Sequence, residues 1–321
     1  ARPVWLSPNI KDPMYKLALI GLVATSALGE ERALKPEMVE FIKQHAAHWT
    51  PLEMSENPLS RFSADELRGL LGTIENQNIE GIPEYKGTYN GVTNFDGRDA
   101  FGSCIHPIRD QASCGSCWAF AASEVLSDKL CIDAGIDKVL SPQYMVSCDS
   151  RNYGCGGGYL DRAFDFLEGT GIPTDTCYPY TSGKAGIDGQ CYSGSCTGSG
   201  SFHAYKCNKG STQKATGTSA IKAMLQEGPA EVDFSVYEDF YYYSSGIYQR
   251  TSLSYQGGHA VKMVGFGHDS ASGLDYWIVA NSWGTGWGEK GFFRIAQGEC
   301  GIDDYAYSCD ASNNSRLKFF Q

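Results

Sequence analysis

The sequence predicts an α+β fold in two lobes behind a short helical leader. Three observations carry this. All twelve cysteines, from Cys104 to Cys309, fall after residue 100. Helical patterns dominate residues 117–167, while strand-like runs dominate from residue 231 onward. Between them, residues 181–219 are rich in Gly, Ser and Thr and poor in apolar side chains, as a connecting loop region should be. At 321 residues and 42% hydrophobic composition, the chain can bury one or two ordinary cores.

Taken in order, the run Met14–Gly29 (MYKLALIGLVATSALG) has one Lys near its start, a short apolar stretch and small residues at Ala27 and Gly29. It predicts a secretory signal peptide and is too short for a membrane span. Residues 1–13 precede the plausible start Met14 and are set aside. From Lys35 to Trp49, Met38, Val39, Phe41, Ile42, Ala46 and Trp49 follow helical spacing, and Ser63-Ala-Asp-Glu66 is a capping box opening Leu67–Leu71. The polar stretch Asn76–Gly91 reads as an exposed linker and a processing site. Beyond it, Cys117–Leu130 predicts a buried helix, Ser141–Cys148, Tyr159–Leu167 and Thr218–Glu227 further helices, and Glu231–Val236, Ala260–Gly265, Tyr276–Ala280, Gly291–Ala296 and Asp304–Ser308 strands.

The formal charge of −11 is spread along the chain: 9 basic against 12 acidic residues up to residue 90, and 17 against 25 after it. No Lys/Arg run supplies a footprint for nucleic acid or an anionic membrane. A secreted chain would form disulfides from such cysteines.

The stretch QASCGSCWAF (111–120) holds Cys114-Gly-Ser-Cys117. A C-x-x-C can be a redox couple, half a zinc site, or a structural cysteine beside a nucleophile. A nucleophilic cysteine needs a thiolate-favouring position, a base and oxyanion donors. Cys117 opens a helix, where the dipole favours a thiolate. Gln111 is placed to donate its amide to an oxyanion. His259, in Gly257-Gly-His-Ala260, is a base 259 − 117 = 142 residues downstream. Asn281-Ser-Trp283 supplies an amide oxygen for the imidazole and an indole that keeps water from that bond.

These residues lie in four motifs: QASCGSCWAF, CGGGY (155–159), GGHAV (257–261) and YWIVANSWGTGWGEKGFFRI (276–295). Their sequence and order resemble the papain family of cysteine peptidases and span most of residues 92–308. The resemblance implies a papain-like α+β fold with a helical lobe (about 91–200) and a β-barrel-like lobe (about 201–321), forming a peptidase domain over 91–321. It implies an inhibitory propeptide over 30–90. Cys117 is then nucleophile, His259 general acid/base, Asn281 orienter and Gln111 oxyanion donor. Gly157, Gly158 and Gly258 offer backbone to extended substrate, Trp283 shields the His259–Asn281 bond, and Trp287 walls the leaving-group side. Polypeptides are the substrates, the propeptide an intramolecular inhibitor and cystatin-type proteins further inhibitors. The resemblance implies a monomer with no metal or cofactor, in a lysosome-like or digestive vacuole or secreted.

Within the family the leader around Asn57–Arg68, with Phe95-Asp96, Tyr237–Phe240, Ser245–Tyr248 and Gly291–Phe293, resembles the cathepsin B-like branch. Two departures bear on activity. Cathepsin B has a long insertion with paired histidines that closes the leaving-group side. Here 13 residues separate Cys177 from Cys191, none of them His, so the cleft is expected to be open. Tyr305 stands where cathepsin B has an acid for P2 Arg, and with Leu160 and Ala260 predicts an apolar second subsite. By resemblance Cys114 pairs with Cys155, 104 with 131, 148 with 191 and 177 with 196. A 207–309 pair then leaves Cys300 free and buried. A segment such as Ile74–Tyr85 is expected to cross the cleft before removal. His45, His48, His106, His203 and His268 are read as surface or locally bonded, Tyr241–Tyr243 as half-buried packing, and Asn313-Asn-Ser315 as a glycosylation sequon.

Overall fold

The computed structural model describes residues 33–74 and 81–311. The run Met14–Gly29 and the sequon at Asn313 lie outside the described residues.

The leader comprises α1 (Pro36–His45), β1 (Trp49–Pro51) and α2 (Ala64–Gly69). Pro36 occupies the first turn of α1, where its missing N–H costs nothing. The capping box opens α2 as predicted: Ser63 Oγ accepts from Glu66 N–H while the Glu66 carboxylate accepts from Ser63 N–H. Helix α1 ends at His45, short of Trp49. That residue instead begins β1, and its indole packs on Tyr243 and Tyr248.

The helical lobe follows. After β2 (Phe95–Asp96) and the single turn α3 (Gly97–Ala100) come α4 (Cys117–Ala134), α5 (Pro142–Cys148) and α6 (Leu160–Gly169). Helix α4 is buried almost all round. It ends where Gly135 takes a left-handed conformation at φ 66°, closing the last turn onto Cys131 and Leu130 carbonyls.

The second lobe contains β3 (Gln213–Ala215), α7 (Thr218–Leu225), β4 (Ala230–Tyr237), β5 (Tyr243–Tyr248), β6 (Tyr255–Asp269), β7 (Leu274–Ala280), β8 (Phe292–Ala296) and β9 (Ala306–Ser308). The sheet runs in the order β1-β5-β8-β7-β6-β4-β9-β3, with β2 added on β6. Its end strands do not meet, so the expected barrel-like lobe is an open sheet. The leader occupies both ends: β1 pairs antiparallel with β5, and Pro83–Tyr85 lies beside β3 through Tyr85 N–H to Lys214 O (2.8 Å) and Lys214 N–H to Pro83 O (2.9 Å).

Two apolar cores result. One fills the β lobe and takes in leader residues Val39, Ile42, Trp49, Leu59 and Leu67. The other lies between α4, α5 and α6 and reaches Ala260 and Tyr307 on the sheet. The leader has no cysteine and is held by apolar burial. The peptidase region is cross-linked instead, by 104–131, 114–155, 148–191, 177–196 and 207–309. The last pair joins the approaches to the adjacent strands β3 and β9. Cys300 is free as expected, though only half-buried rather than buried. Tyr241, Tyr242 and Tyr243 are fully buried, not half-buried.

Candidate active site

Cys117 is the first residue of α4, and the Cys114–Cys155 disulfide ties the turn before it to the glycine-rich segment 154–158. Cys114 therefore has no redox relation to Cys117. Among the described residues no cluster of His, Cys, Asp and Glu could hold a metal ion. His259 lies on β6. Its Nε2 is 2.7 Å from Asn281 Oδ1, at the end of β7, and its ring stacks on Trp283 with centroids 4.8 Å apart. Its other nitrogen, Nδ1, is buried without a hydrogen-bond partner. Cys117 Sγ accepts from Ala260 N–H at 3.5 Å, one residue past His259.

Gln111 is completely buried and its orientation is determined at both ends. Ser282 Oγ donates to Gln111 Oε1 at 2.6 Å, which turns Nε2 into the cleft. Ser282 N–H donates to Asn281 Oδ1 at 2.8 Å. Tyr180 Oη donates to the Gln111 carbonyl at 2.8 Å. Ser282 thus links Gln111 to the amide that holds the His259 ring. The sequence contained it, inside Asn281-Ser-Trp283, but a serine flanked by two stronger signals carried no mark of its own. Tyr180 had no sequence signal at all.

The leader runs through this cleft. Gly72 N–H donates to Cys117 Sγ at 3.2 Å, and Gln111 Nε2 donates to the Leu70 carbonyl at 2.9 Å. Gly72 O accepts from Gly158 N–H at 2.8 Å, Ile74 N–H donates to Gly158 O at 3.0 Å, and Thr73 N–H donates to Gly258 O at 3.1 Å. Residues 75–80 lie outside the described residues, and the crossing includes Leu70–Ile74 and so begins before the expected Ile74–Tyr85. The reason is steric. A Cβ on Gly72 would stand inside the Gly115 carbonyl, so only glycine brings the chain this close. Gly157, at φ 111°, has no room for a side chain on the same side, where Gly72 O is 2.8 Å from the position of a Cβ.

The remaining predicted residues fall into two groups. Leu160, Ala260 and Tyr305 all belong to or pack against the core that lies between the helices and reaches the sheet. Trp287 is 0% exposed, enclosed by Phe240, Tyr243, Trp283 and Phe293, with its indole N–H on Tyr241 O. It borders no open cleft while the leader is in place.

Electrostatically the covered site is quiet. Burial pushes the Cys117 thiol up, against the lowering influence of the Ala260 and Gly72 amides. Burial pulls His259 down to about 4, which the Asn281 bond only partly offsets. Beneath the leader both shifts favour the neutral forms, thiol and imidazole.

The papain family cysteine protease model matches residues 92–309. Cathepsin B-like CP3 of Giardia intestinalis is 42% identical over 251 residues, covering 76% of this chain and 83% of its own. A gut-specific cysteine proteinase of Caenorhabditis elegans is 41% identical over 233 residues, 65% of this chain and 70% of its own. Among solved structures, procathepsin B S9 from Trypanosoma congolense superposes with a TM-score of 0.78 at 27% identity, over 87% of this chain and 98% of that one. Recombinant stem bromelain precursor gives 0.70 at 25% identity, over 94% and 100%.

Proposed function

The chain belongs to the papain family of cysteine proteases, as a cathepsin B-like member, and on that premise we propose that it is an endopeptidase zymogen whose catalytic residues are Cys117, His259, Asn281 and Gln111. The observation that carries this is the Gln111 amide on the carbonyl of Leu70, in an extended chain held between Gly158 and Gly258 beside Cys117 Sγ. The cleft already handles a peptide as a substrate would be handled. The leader escapes attack because the sulfur meets the Gly72 N–H, a donor, instead of a carbonyl carbon.

Once the leader leaves, water returns to the site and the desolvation that keeps the pair neutral is relieved. The thiolate attacks the scissile carbonyl, and the oxyanion is held by Gln111 Nε2 and the Cys117 N–H. Collapse expels the amine, which takes its proton from the His259 imidazolium, leaving a thioester. The neutral imidazole then takes a proton from water, and hydroxide attack on the thioester releases the acid and restores the thiolate–imidazolium pair. Asn281 holds the ring through its Nε2, with Trp283 covering that bond.

Two features support endopeptidase action. Ser182–Lys184 folds against the helical lobe through Ser113 N–H to Gly183 O (3.2 Å), and Asp188 Oδ1 accepts from Cys155 N–H (2.6 Å). On this reading a segment held to the helical lobe in this way leaves the leaving-group side open. Leu160, Ala260 and Tyr305 favour an apolar P2 side chain. Acid-driven release is followed by cleavage between about Tyr85 and Gly91. Five disulfides fit an oxidising route, to a lysosome-like vacuole or out of the cell.

The test is hydrolysis of a fluorogenic peptide with Phe at P2, following the purified chain from neutral to about pH 5, with Cys117→Ala alongside. Activity that appears with loss of the leader, in the wild type only, is the expected result. Equal behaviour of the variant, or a leader-bearing chain fully active at neutral pH, would overturn the proposal. Dipeptides released from free C-termini would overturn its endopeptidase part.

A further inference from the structure

Two ties join the helix that begins with Cys117 to the strand that carries His259. The first is at the cleft, where the Ala260 N–H meets Cys117 Sγ. The second lies 128 − 117 = 11 residues along α4 and 262 − 259 = 3 residues along β6. There Lys262 Nζ reaches Asp128 Oδ2 at 2.7 Å and Glu124 Oε2 at 3.5 Å, with Lys262 1% and Asp128 0% exposed. His106 braces the other carboxylate oxygen: its N–H (3.1 Å) and Nδ1 (2.6 Å) both meet Asp128 Oδ1, and its Nε2 lies 3.0 Å from Asp137 Oδ1. A carboxylate at each ring nitrogen favours the doubly protonated ring. This overturns the reading of His106 as a surface or locally bonded residue, since it is buried and its partners lie 22 and 31 residues away.

At the cleft the two sides are tied only at the front end of α4, by the Ala260 N–H on Cys117 Sγ and by the bonds of Gln111 to Ser282. His259 is held by Asn281 and Trp283, both in the β lobe, and its Nδ1 has no partner. How α4 tilts and slides on β6 behind those ties is a further determinant of the distance from Nδ1 to Cys117. Helix α4 is buried on nearly every face, and apolar packing is non-directional, so such a contact alone leaves sliding and rotation cheap. A buried ion pair has one good geometry, and its energy is forfeited when it moves.

We propose that Lys262 and Asp128, with His106 bracing Asp128, are positioning residues that set the separation of His259 from Cys117. The groups facing this strut are Glu124 from α4, Asp137 and His106 from the flanking segments, Arg109 near Glu124, and Glu231 on β4, directly opposite Lys262. The carboxylates hold both cations in their charged forms: His106 is raised, led by its Asp128 bond, and Lys262 is raised despite burial. The proposal rests on Cys117 and His259 being nucleophile and base.

The test uses the full chain activated at acid pH, carrying Lys262→Met, Asp128→Asn, both together, or Lys262→Arg. Active-site titration normalises for folded enzyme. We expect kcat per titrated site to fall about tenfold to a hundredfold, the scale of a reacting geometry displaced by roughly 1 Å, with KM changed by less than about twofold. The pH dependence of Cys117 alkylation by iodoacetamide should move to higher pH, because a more distant imidazolium stabilises the thiolate less. Lys262→Arg should recover most of the rate, and the double variant should be no worse than the worse single one. Wild-type kcat per site with an unmoved alkylation profile would overturn the proposal, since a merely structural role would lower only the number of sites. Should a single variant fail to fold, His106→Gln leaves the Lys262–Asp128 pair intact and is read by the same two measurements. If wild-type activity proved independent of Cys117, the functional reading would fall instead of the strut.

Discussion

Replacing Gly72 by alanine should unseat the leader without touching the peptidase. The added Cβ would stand inside the Gly115 carbonyl, which is backbone and has no rotamer to give. The leader must lift, and the bonds nearest Gly72 go with it: Gly158 N–H to Gly72 O, Thr73 N–H to Gly258 O, Ile74 N–H to Gly158 O, and Gly72 N–H to Cys117 Sγ. At roughly 1 kcal/mol net for each of the three backbone bonds, inhibition in cis weakens by about 3 kcal/mol, or roughly a hundredfold at 1.4 kcal/mol per decade. The α1, β1 and α2 contacts remain, so the variant should still fold. The assay is hydrolysis of the Phe-P2 peptide by the intact, leader-bearing chain at neutral pH, with Cys117 titrated to count sites. Silence equal to the wild type would refute the reasoning, because it would mean that the leader inhibits from somewhere other than Leu70–Ile74.

Three other outcomes follow from particular contacts. Ser282→Ala frees Gln111 Oε1 and should lower kcat about tenfold, less than the 10²–10³ of losing an oxyanion donor outright; a KM effect alone would argue against the orienting role. Glu84 is held below the ordinary glutamate range, first by its bond to Lys214 and then by Thr216. Its contribution to leader docking is thus present above the ordinary glutamate value and lost only as pH falls through a still lower one. It is not the trigger at about pH 5: Glu84→Gln should speed processing by less than about fivefold, the scale of an exposed pair, while the acid dependence of processing persists. His106 has the opposite sign. Its raised folded value makes its contribution complete below the ordinary histidine pKa and lost as pH rises through the folded one. The thermal midpoint of the wild type should fall across that window, and that of His106→Gln should fall less.

How legible the molecule was depended on the range of the interaction involved. Cys117, His259, Asn281 and Gln111 stood out because each sits in a local motif whose chemistry needs that residue type, and the fold brings them together. The capping box at Ser63 was readable for the same reason. Nothing in the sequence marked Gly72 for the cleft; its role depends on Gly115, 43 residues away, so the start of the crossing was expected too far along the chain. Trp49 matched the period of α1 by coincidence, and its strand exists only because β5 lies beside it. The second lobe was expected to be barrel-like, but closure depends on whether the end strands meet, which no linear pattern records. Lys262, Asp128 and His106 had no readable signal, because charged residues gain a buried role only from partners in other elements.

The leader's place at both ends of the sheet has a consequence for the released enzyme that concerns solubility. While Trp49–Pro51 covers β5 and Pro83–Tyr85 covers β3, the backbone edges of β5 and β3 are not open to a second molecule. Cleavage removes both covers at once and leaves two strands, of six and three residues, able to pair with another chain. The short edge at β3 carries Lys214, whose charge becomes unpaired when Glu84 departs and discourages edge-to-edge association. The β5 edge lacks any charged side chain along Tyr243–Tyr248. On the proposed activation, crowding of the mature form should be resisted at one end and unopposed at the other, so a leader that covers the cleft should also hold stored molecules apart.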